Sequence, residues 1–393
     1  VLNVELQGLA NQMTKYSRYV KINHGNQDTL ACTVQGIHLP MDASEDTLSR
    51  NSMLAGQEAT ALRNKLFKSD VAKITIIPTW GCNLRCRHCV VIDKLERGSD
   101  SDLNCEQLVT FLEKFSVNAK LKRACFVGGE PLLRPDILLK LTKALPGWMF
   151  SMTTNLSIPF TETHYELFDH ISSITVSVDG LPKNHNRQRI PLNKDPDIFG
   201  KTVDNIKQLV RRGLKDKLSV QGAVDQVNKD DEIAYKHFFC NLGLNPLAIF
   251  YGLIHPHPRG ESPTGFIEAL KQMPINYRPC CKYQPGTQCT ILPDNSIVSD
   301  FYTQTPIGTI FDEPAAVIEN HRRLVLNTMP VLNDPTCREC DVIGLCWGHC
   351  SNGEPVTGML PSKYCDQAGL RTRVHNLALA GSLVVQGSPA CSP

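Results

Sequence analysis

The sequence has no run of eighteen apolar residues, so nothing in it suggests a membrane-spanning helix. Its first stretch, Val1–Met13, is mixed in polarity and lacks the continuous apolar core of a secretory signal peptide. A large charge of one sign is also missing. The formal net charge is +2, so neither nucleic acid nor an anionic membrane is expected as a partner. Hydrophobic content of 41% and charged content of 20% suit an ordinary soluble chain, and 393 residues suffice for two domains. Opening on Val1, the sequence leaves room for an upstream piece.

Cysteine is abundant instead. Of 16 cysteines, all but Cys32, Cys105, Cys125, Cys240 and Cys391 fall in two patches, Cys82–Cys89 and Cys280–Cys365. A secreted disulfide scaffold would be shorter and would lack paired C-x2-C units. Clustered cysteines without an export signal point to metal ligation in a reducing, cytoplasmic compartment. The five outliers read as small packed side chains.

The first patch, Gly81-Cys82-Asn83-Leu84-Arg85-Cys86-Arg87-His88-Cys89, follows the apolar run Ile74–Pro78. Cubane iron–sulfur clusters normally take four thiolates. A compact C-x3-C-x2-C loop supplies three and leaves one iron open to a non-protein ligand. The competing readings are a structural zinc site and packed free thiols. Zinc prefers a second pair closing the tetrahedron, and none follows within thirty residues.

Around this loop the sequence divides into four segments. Residues 1–70 carry two strand-like runs, Tyr16–Asn23 and Thr29–His38, across the turn-forming His24-Gly25-Asn26-Gln27, then a helix from about Glu45 to Phe67. This reads as a substrate-docking subdomain or a lid on the main domain. Residues 71–260 alternate strands (Lys73–Ile77, Arg123–Val127, Met149–Thr153, Ile174–Val178, Leu218–Ala223, Leu247–Gly252) with helices (Cys105–Phe115, Pro135–Leu145, Thr163–His170, Phe199–Arg212, Asp231–Asn241). Asn104 with Gln107 forms a capping-box signature for the first helix. Six strand–helix units imply a parallel α/β sheet with right-handed crossovers, a partial (β/α)6 TIM barrel. Chemistry then belongs on the loops at the strands' C-terminal ends. Cys82–Cys89, Gly128-Gly129-Glu130-Pro131, Thr154-Asn155 and Ser177-Val178-Asp179-Gly180 all fall there. Residues 261–375 hold the second cysteine patch, and 376–393 form a Ser-, Pro- and Gly-rich tail.

C-x3-C-x2-C after the first strand and G-G-E-P after the second resemble the radical SAM superfamily. The resemblance implies that Cys82, Cys86 and Cys89 ligate a [4Fe–4S] cluster whose open iron binds S-adenosylmethionine (SAM). Reductive cleavage of SAM would give a 5′-deoxyadenosyl radical that abstracts a substrate hydrogen, with the hard chemistry belonging to the cofactors. It further implies that Gly128 and Gly129 approach the methionine moiety and that Glu130 fixes its ammonium, against the plainer reading of a helix N-terminal carboxylate. Thr154, Asn155, Ser177 and Asp179 look like the family's ribose and carboxylate contacts. His185-Asn186-Arg187-Gln188-Arg189 resembles H-D-x-x-R with Asn186 for the usual Asp. That makes Arg189 the partner of the SAM carboxylate, with Arg187 the competing assignment. His88 would stack near the adenine.

Cys337-x2-Cys340-x5-Cys346-x3-Cys350, then Cys365, resembles the C-terminal half of a SPASM domain, which binds two auxiliary [4Fe–4S] clusters. A zinc ribbon is the alternative. The resemblance puts Cys337, Cys340, Cys346 and Cys365 on the outer cluster. The inner one would take Cys350, Cys289 and either Cys280 or Cys281, with Cys281 preferred. The fourth inner ligand departs from the family. Counting from Asn295 as the glycine of D-G-x4-C puts Asp300 in the cysteine position; matching Ser299-Asp300-Phe301-Tyr302 to C-D-F-Y makes Asp300 a base. Trp347 and His349 read as packing residues, and His255-Pro256-His257-Pro258 as an extended linker.

The resemblance implies a maturase, related to anaerobic sulfatase maturases, that oxidises, cross-links or epimerises a ribosomally made peptide or a protein side chain. It would draw electrons from an external reductant such as flavodoxin or ferredoxin. Its partner would be a precursor peptide or other protein substrate, with no nucleic acid and no membrane. A SPASM-type dehydrogenase of a small molecule such as a carbohydrate is the alternative enzyme. An iron–sulfur electron carrier or metal-stapled binding module is the alternative without catalysis.

Overall fold

The computed structural model describes residues 20–24, 27–32, 37–40, 71–89, 91–97, 103–193, 197–224, 231–253, 288–301 and 304–328. They divide between two compact units, one of Val1–Ser69, Ile267–Pro285 and Arg322–Pro393, the other of Asp70–Phe266 and Gly286–His321.

In the first unit, β1 (Val20–His24), β2 (Gln27–Cys32) and β3 (Ile37–Pro40) form an antiparallel meander. Strands β1 and β2 pair from His24 opposite Gln27, in accord with the hairpin read from the sequence. The run read as one strand, Thr29–His38, is instead split between β2 and β3. The helix expected from Glu45 to Phe67 lies outside the described residues.

The second unit is built on β4 (Val71–Ile76), the short β5 (Leu84–Cys86), α1 (Ile92–Arg97), α2 (Cys105–Phe115), β6 (Leu121–Phe126), α3 (Pro135–Ala144), β7 (Met149–Thr154) and α4 (Glu162–His170). It continues with β8 (Ser173–Ser177), α5 (Pro182–Gln188), the short β9 (Arg189–Pro191), α6 (Ile198–Arg211), β10 (Leu218–Val224), α7 (Glu232–Asn241) and β11 (Ile249–Leu253). Last come β12 (Gln288–Ile291), β13 (Ser296–Val298), β14 (Pro306–Thr309) and α8 (Pro314–Thr328), whose residues from Arg322 on count with the first unit. Strands β4, β6, β7, β8, β10 and β11 lie side by side and parallel, matching the six expected strand–helix units within two residues.

Alternation along the strands supplies the core. Ile74, Ile76, Ala124, Phe126, Phe150, Met152, Ile174, Val176 and Val220 are buried between sheet and helices. On α2, Cys105, Leu108, Phe111, Leu112 and Phe115 share one buried stripe at helical spacing. A fully buried side chain of this size contributes roughly 1.5–3 kcal/mol.

Two features were not legible in the sequence. Strand β12 pairs in parallel with β4, Cys289 opposite Ile74, so β12–β13–β14 extends the same sheet to nine strands. The capping box is also only half made. Asn104 Oδ1 accepts from the Gln107 N–H at 3.0 Å, but the Gln107 side chain donates to Ile310 O at 3.0 Å. Asn104 N–H itself donates to Asn295 Oδ1 at 2.8 Å. Contacts 191 and 203 residues away thus replace the local return bond, tying the start of α2 to Asn295 in the β12–β13 turn and to Ile310 just after β14. No helix among the described residues is long and apolar enough to cross a membrane.

Candidate active site

The cysteine loop leaves β4 at the C-terminal edge of the sheet and is fixed by its own backbone. Leu84 N–H donates to Cys82 Sγ at 3.4 Å, and Cys89 N–H to Cys86 O at 3.1 Å. The Arg85 guanidinium donates to Cys82 O and Leu84 O at 3.1 and 2.9 Å, filling carbonyl acceptors that the loop leaves open. Among the described residues no three His, Cys, Asp or Glu side chains converge on a single ion. Three thiols on one loop are the donor set of a multi-iron cluster with one open iron. Burial pushes the thiol of Cys82 up to about 12 and that of Cys86 up to about 11. The metal-free thiols therefore keep their protons, and metal loading would release them.

The glycines of Gly128-Gly129-Glu130 serve the protein's own backbone. Gly128 sits at φ +140°, and a Cβ on Gly129 would lie 2.1 Å from Gly81 O and 2.6 Å from Trp80 O. Gly129 N–H donates to Thr79 O, and Glu130 N–H to Gly81 O at 2.8 Å. Only a chain without side chains comes this near the root of the cysteine loop.

Glu130 is buried and caps the short turn Pro131–Leu133, as the plainer reading has it. Its Oε1 accepts from Leu132 N–H at 3.1 Å and Thr154 Oγ at 2.6 Å; Oε2 accepts from Asn155 N–H at 2.8 Å. Burial raises its pKa, outweighing these three hydrogen bonds.

Asn83 is a residue that sequence reasoning missed. Its Oδ1 accepts from Asn155 Nδ2 at 2.9 Å, and its Nδ2 donates to Ser157 Oγ at 2.9 Å. The cysteine loop is thereby joined to the loop after β7. Leu156, buried there at φ 52°, is held in this uncommon conformation by Thr154 Oγ1, which accepts its N–H, and by Asn205, which donates to its carbonyl. An asparagine between two candidate ligands was the available signal.

Ser177 ends β8 opposite Gln221. Two residues on, buried Asp179 receives the Arg189 guanidinium at 2.7 Å (Nε to Oδ2) and 3.0 Å (Nη2 to Oδ1), with Ala223 N–H at 3.1 Å. His88 Nε2 lies 3.5 Å from Asp179 Oδ2, a contact with a carboxylate of this chain that the sequence did not suggest. Burial would raise the Asp179 pKa, but Arg189, then His88, outweigh it and hold the carboxyl below its ordinary range. His185 Nδ1 accepts from Asp179 N–H at 3.2 Å, and burial pushes its pKa down to about 3, so it stays neutral.

Arg189 also stands opposite Cys86 in the β5–β9 ladder, with its Nη1 3.9 Å from Cys86 Sγ. Asn186, where the resemblance has Asp, accepts from Phe199 N–H at 2.8 Å and donates to Asp197 Oδ1 at 3.2 Å.

Asp300 is buried beyond β13 and accepts from Ser299 Oγ at 2.9 Å. Val298 and Leu292 form a buried apolar cluster with Ile77 and Trp80, against which Cys82, Cys89 and Phe301 pack, so this hairpin lies beside the cysteine loop. Cys289 is buried on β12, its thiol pushed up to about 12 by burial. Asn295 adopts φ 68°, the left-handed backbone for which a turn normally uses glycine. Cys280, Cys281, Cys337, Cys340, Cys346, Cys350 and Cys365 lie outside the described residues, as do Trp347, His349, His255, His257 and the tail from residue 376.

Residues 76–235 match the radical SAM superfamily. The chain is 22% identical over 274 residues, 69% of its length and 74% of the relative's, to a GTP 3′,8-cyclase of Synechocystis sp.. Over 133 residues it is 30% identical to a 7-carboxy-7-deazaguanine synthase of Methanospirillum hungatei, covering 33% of this chain and 50% of that one. Among solved structures, native anSMEcpe with bound AdoMet superposes with a TM-score of 0.61 at 16% identity, covering 79% of this chain and 99% of that one. Streptococcus suis SuiB bound to precursor peptide SuiA superposes with a TM-score of 0.55 at 12% identity, covering 85% and 94%. This chain carries a radical SAM domain, a family that implies SAM and a SAM-binding [4Fe–4S] cluster.

Proposed function

We propose that this radical SAM domain serves a peptide- or protein-modifying oxidoreductase of the SPASM type. The observation that carries the reading is the β12–β13 hairpin. It places Val298 in the apolar cluster against which Phe301, Cys82 and Cys89 pack, so the described part of the second cysteine-bearing segment lies beside the first. Likeness of fold to a peptide-bound SuiB supports the substrate class.

Cys82, Cys86 and Cys89 would hold the cluster, with Gly128, Gly129, Glu130, Thr154, Asn155, Ser177, Asp179 and Arg189 shaping the SAM site. When bound, SAM and the cluster would supply the radical chemistry for removing a hydrogen atom from the substrate. The chain supplies position. Glu130 links the loops after β6 and β7, and Asn83 links the latter to the cysteines. Glu130, Thr154, Asn155, Asp179 and Arg189 are all buried, which would help keep water from the site.

Two auxiliary clusters would sit on Cys289, Cys281, Cys350 and Asp300 and on Cys337, Cys340, Cys346 and Cys365. Asn295's left-handed backbone supports counting it as the turn glycine, which puts Asp300 in a ligand position rather than that of a base. Iron counts on Asp300→Ala test this: inner-cluster iron is lost if Asp300 ligates and is retained, with product lost, if it is a base. An external reductant such as flavodoxin or ferredoxin would feed the path, in the cytoplasm.

The likeness in sequence to GTP 3′,8-cyclases favours a second reading, a small-molecule substrate. Anaerobically reconstituted protein, SAM and dithionite would be offered peptides encoded beside the gene, sugars and purine nucleotides. A two-hydrogen mass loss from a peptide supports the first reading; turnover of only a sugar or nucleotide overturns it. Failure to form 5′-deoxyadenosine with any substrate overturns both and leaves an electron carrier.

A further inference from the structure

Arg189 has more than one claim on it. Its Nη2 donates to Asp179 Oδ1 at 3.0 Å and its Nε lies 2.7 Å from Oδ2 as an ion pair, which holds the guanidinium against the carboxylate. The remaining Nη1 is thereby directed at Cys86 Sγ, 3.9 Å away. The ladder enforces this approach: Arg189 is the residue opposite Cys86, and Arg87 N–H donates to Gln188 O at 2.9 Å on the same edge. Arg189 and Asp179 are both buried, at 9% and 0% relative exposure, so water screens their charges poorly.

A guanidinium at a thiolate ligand does specific electrostatic work. Reduction adds one electron, hence one negative charge, to a cluster, and no bond forms or breaks. A nearby cation and an N–H···S contact both favour the reduced form, since hydrogen bonds to sulfur, net charge and exposure set cluster potentials. Asp179 opposes this in part and also aims the cation, so the pair presents its positive end to the sulfur.

We infer that Arg189, aimed by Asp179, raises the reduction potential of the cluster held by Cys82, Cys86 and Cys89, and that the pair is a positioning device for electron entry in addition to any contact with SAM. This rests on the cluster assignment proposed above. His88 Nε2 also lies 3.5 Å from Asp179 Oδ2.

The test is an anaerobic redox titration of full-length reconstituted protein, followed by electron paramagnetic resonance without SAM, so that no ligand contact enters. The signal assigned to this cluster is the one missing from the triple variant Cys82→Ala/Cys86→Ala/Cys89→Ala. At the potential that half-reduces the wild type, Arg189→Gln should lower the reduced-to-oxidised ratio about threefold or more. Arg189→Lys, which keeps the charge, should lower it less, and Asp179→Asn should raise it above wild type. A structural role alone would not give opposite signs. No change in Arg189→Gln, or a shift of Asp179→Asn in the same direction, overturns the inference. Should Arg189→Gln take up no iron, Asp179→Asn decides: a rise supports the inference and no rise overturns it. A triple variant with the signals and iron of the wild type would instead overturn the cluster assignment, a result separable from any shift.

Discussion

Glu130 and Asp179 are both buried carboxylates on loops at the same edge of the sheet, yet they are held in opposite ways. Glu130 is surrounded by neutral donors, a hydroxyl and two backbone N–H groups, and burial wins: its pKa rises. For Asp179 burial works in the same direction, but the Arg189 ion pair and His88 outweigh it, and its pKa falls. The first arrangement organises backbone, the second organises charge. A cofactor with both an ammonium and a carboxylate would meet an acceptor-rich side at Glu130 and a charge-compensated side at Arg189.

The largest effect should come from breaking the charged side. Asp179→Leu leaves Arg189 buried without its carboxylate, which costs about 3–5 kcal/mol. Pairing it with Arg189→Met should restore most of that loss, since apolar replacements of buried pairs are often close to neutral. Denaturant midpoints of metal-free protein measure both. A double variant no more stable than Asp179→Leu would show that the pair is not the dominant interaction there.

On the neutral side, Gly129→Ala should be next. Its Cβ would meet the carbonyl oxygens of Gly81 and Trp80, which are backbone and cannot swing away. The cysteine loop must shift, at about 1–3 kcal/mol, and cluster uptake should fall. Iron content checks it; full uptake would mean the loop tolerates the displacement. Glu130→Gln should cost a similar or smaller amount, about 1–3 kcal/mol, because its amide nitrogen faces a donor where an acceptor stood.

The two carboxylates also differ in sign with pH. Glu130, its folded pKa raised, contributes stability below the ordinary glutamate value, about 4.3, and that contribution is lost as pH rises through the folded pKa. Asp179, its folded pKa lowered, contributes stability above the ordinary aspartate value, about 3.9, which is lost as pH falls through the folded pKa. Stability of the wild type minus that of Glu130→Gln should therefore decline with rising pH above the ordinary value. A flat difference would mean Glu130 titrates normally.

These distinctions mark what the sequence could and could not reveal. The six strands of the barrel were legible because buried parallel strands are short apolar runs, and helices between them repeat with helical spacing. The edge carrying the cysteines, Glu130 and Asp179 followed from topology. What was not legible depends on long-range pairing. Nothing in Gln288–Ile291 says that it lies beside Val71–Ile76, and nothing in Gln107 says that it bonds Ile310. Arg189 could be singled out as a cation but not as a side chain turned toward both Asp179 and Cys86, because the β5–β9 pairing is made of three residues on each strand. Asn186 looked like a defect in a motif for the same reason: Asp197 is out of sight in sequence.

That last residue gives the smallest predicted effect. Asn186→Asp restores the residue usual in the resembling motif. Its carboxylate would still accept from Phe199 N–H, as the amide oxygen does now at 2.8 Å. The other oxygen would face Asp197 Oδ1, which now accepts from Asn186 Nδ2 at 3.2 Å, and replace a hydrogen bond by a like-charge contact. The contact is exposed and screened, so the cost should be about 0.5 kcal/mol at low salt and less at high salt. Because α5 leads directly into Arg189 opposite Cys86, the cluster potential also reports whether the substitution reaches the charged side of the site. A small loss of stability that salt relieves, with the cluster potential unchanged, would place Asn186 in the scaffold of that helix. A loss insensitive to salt would mean the asparagine is chosen for packing instead.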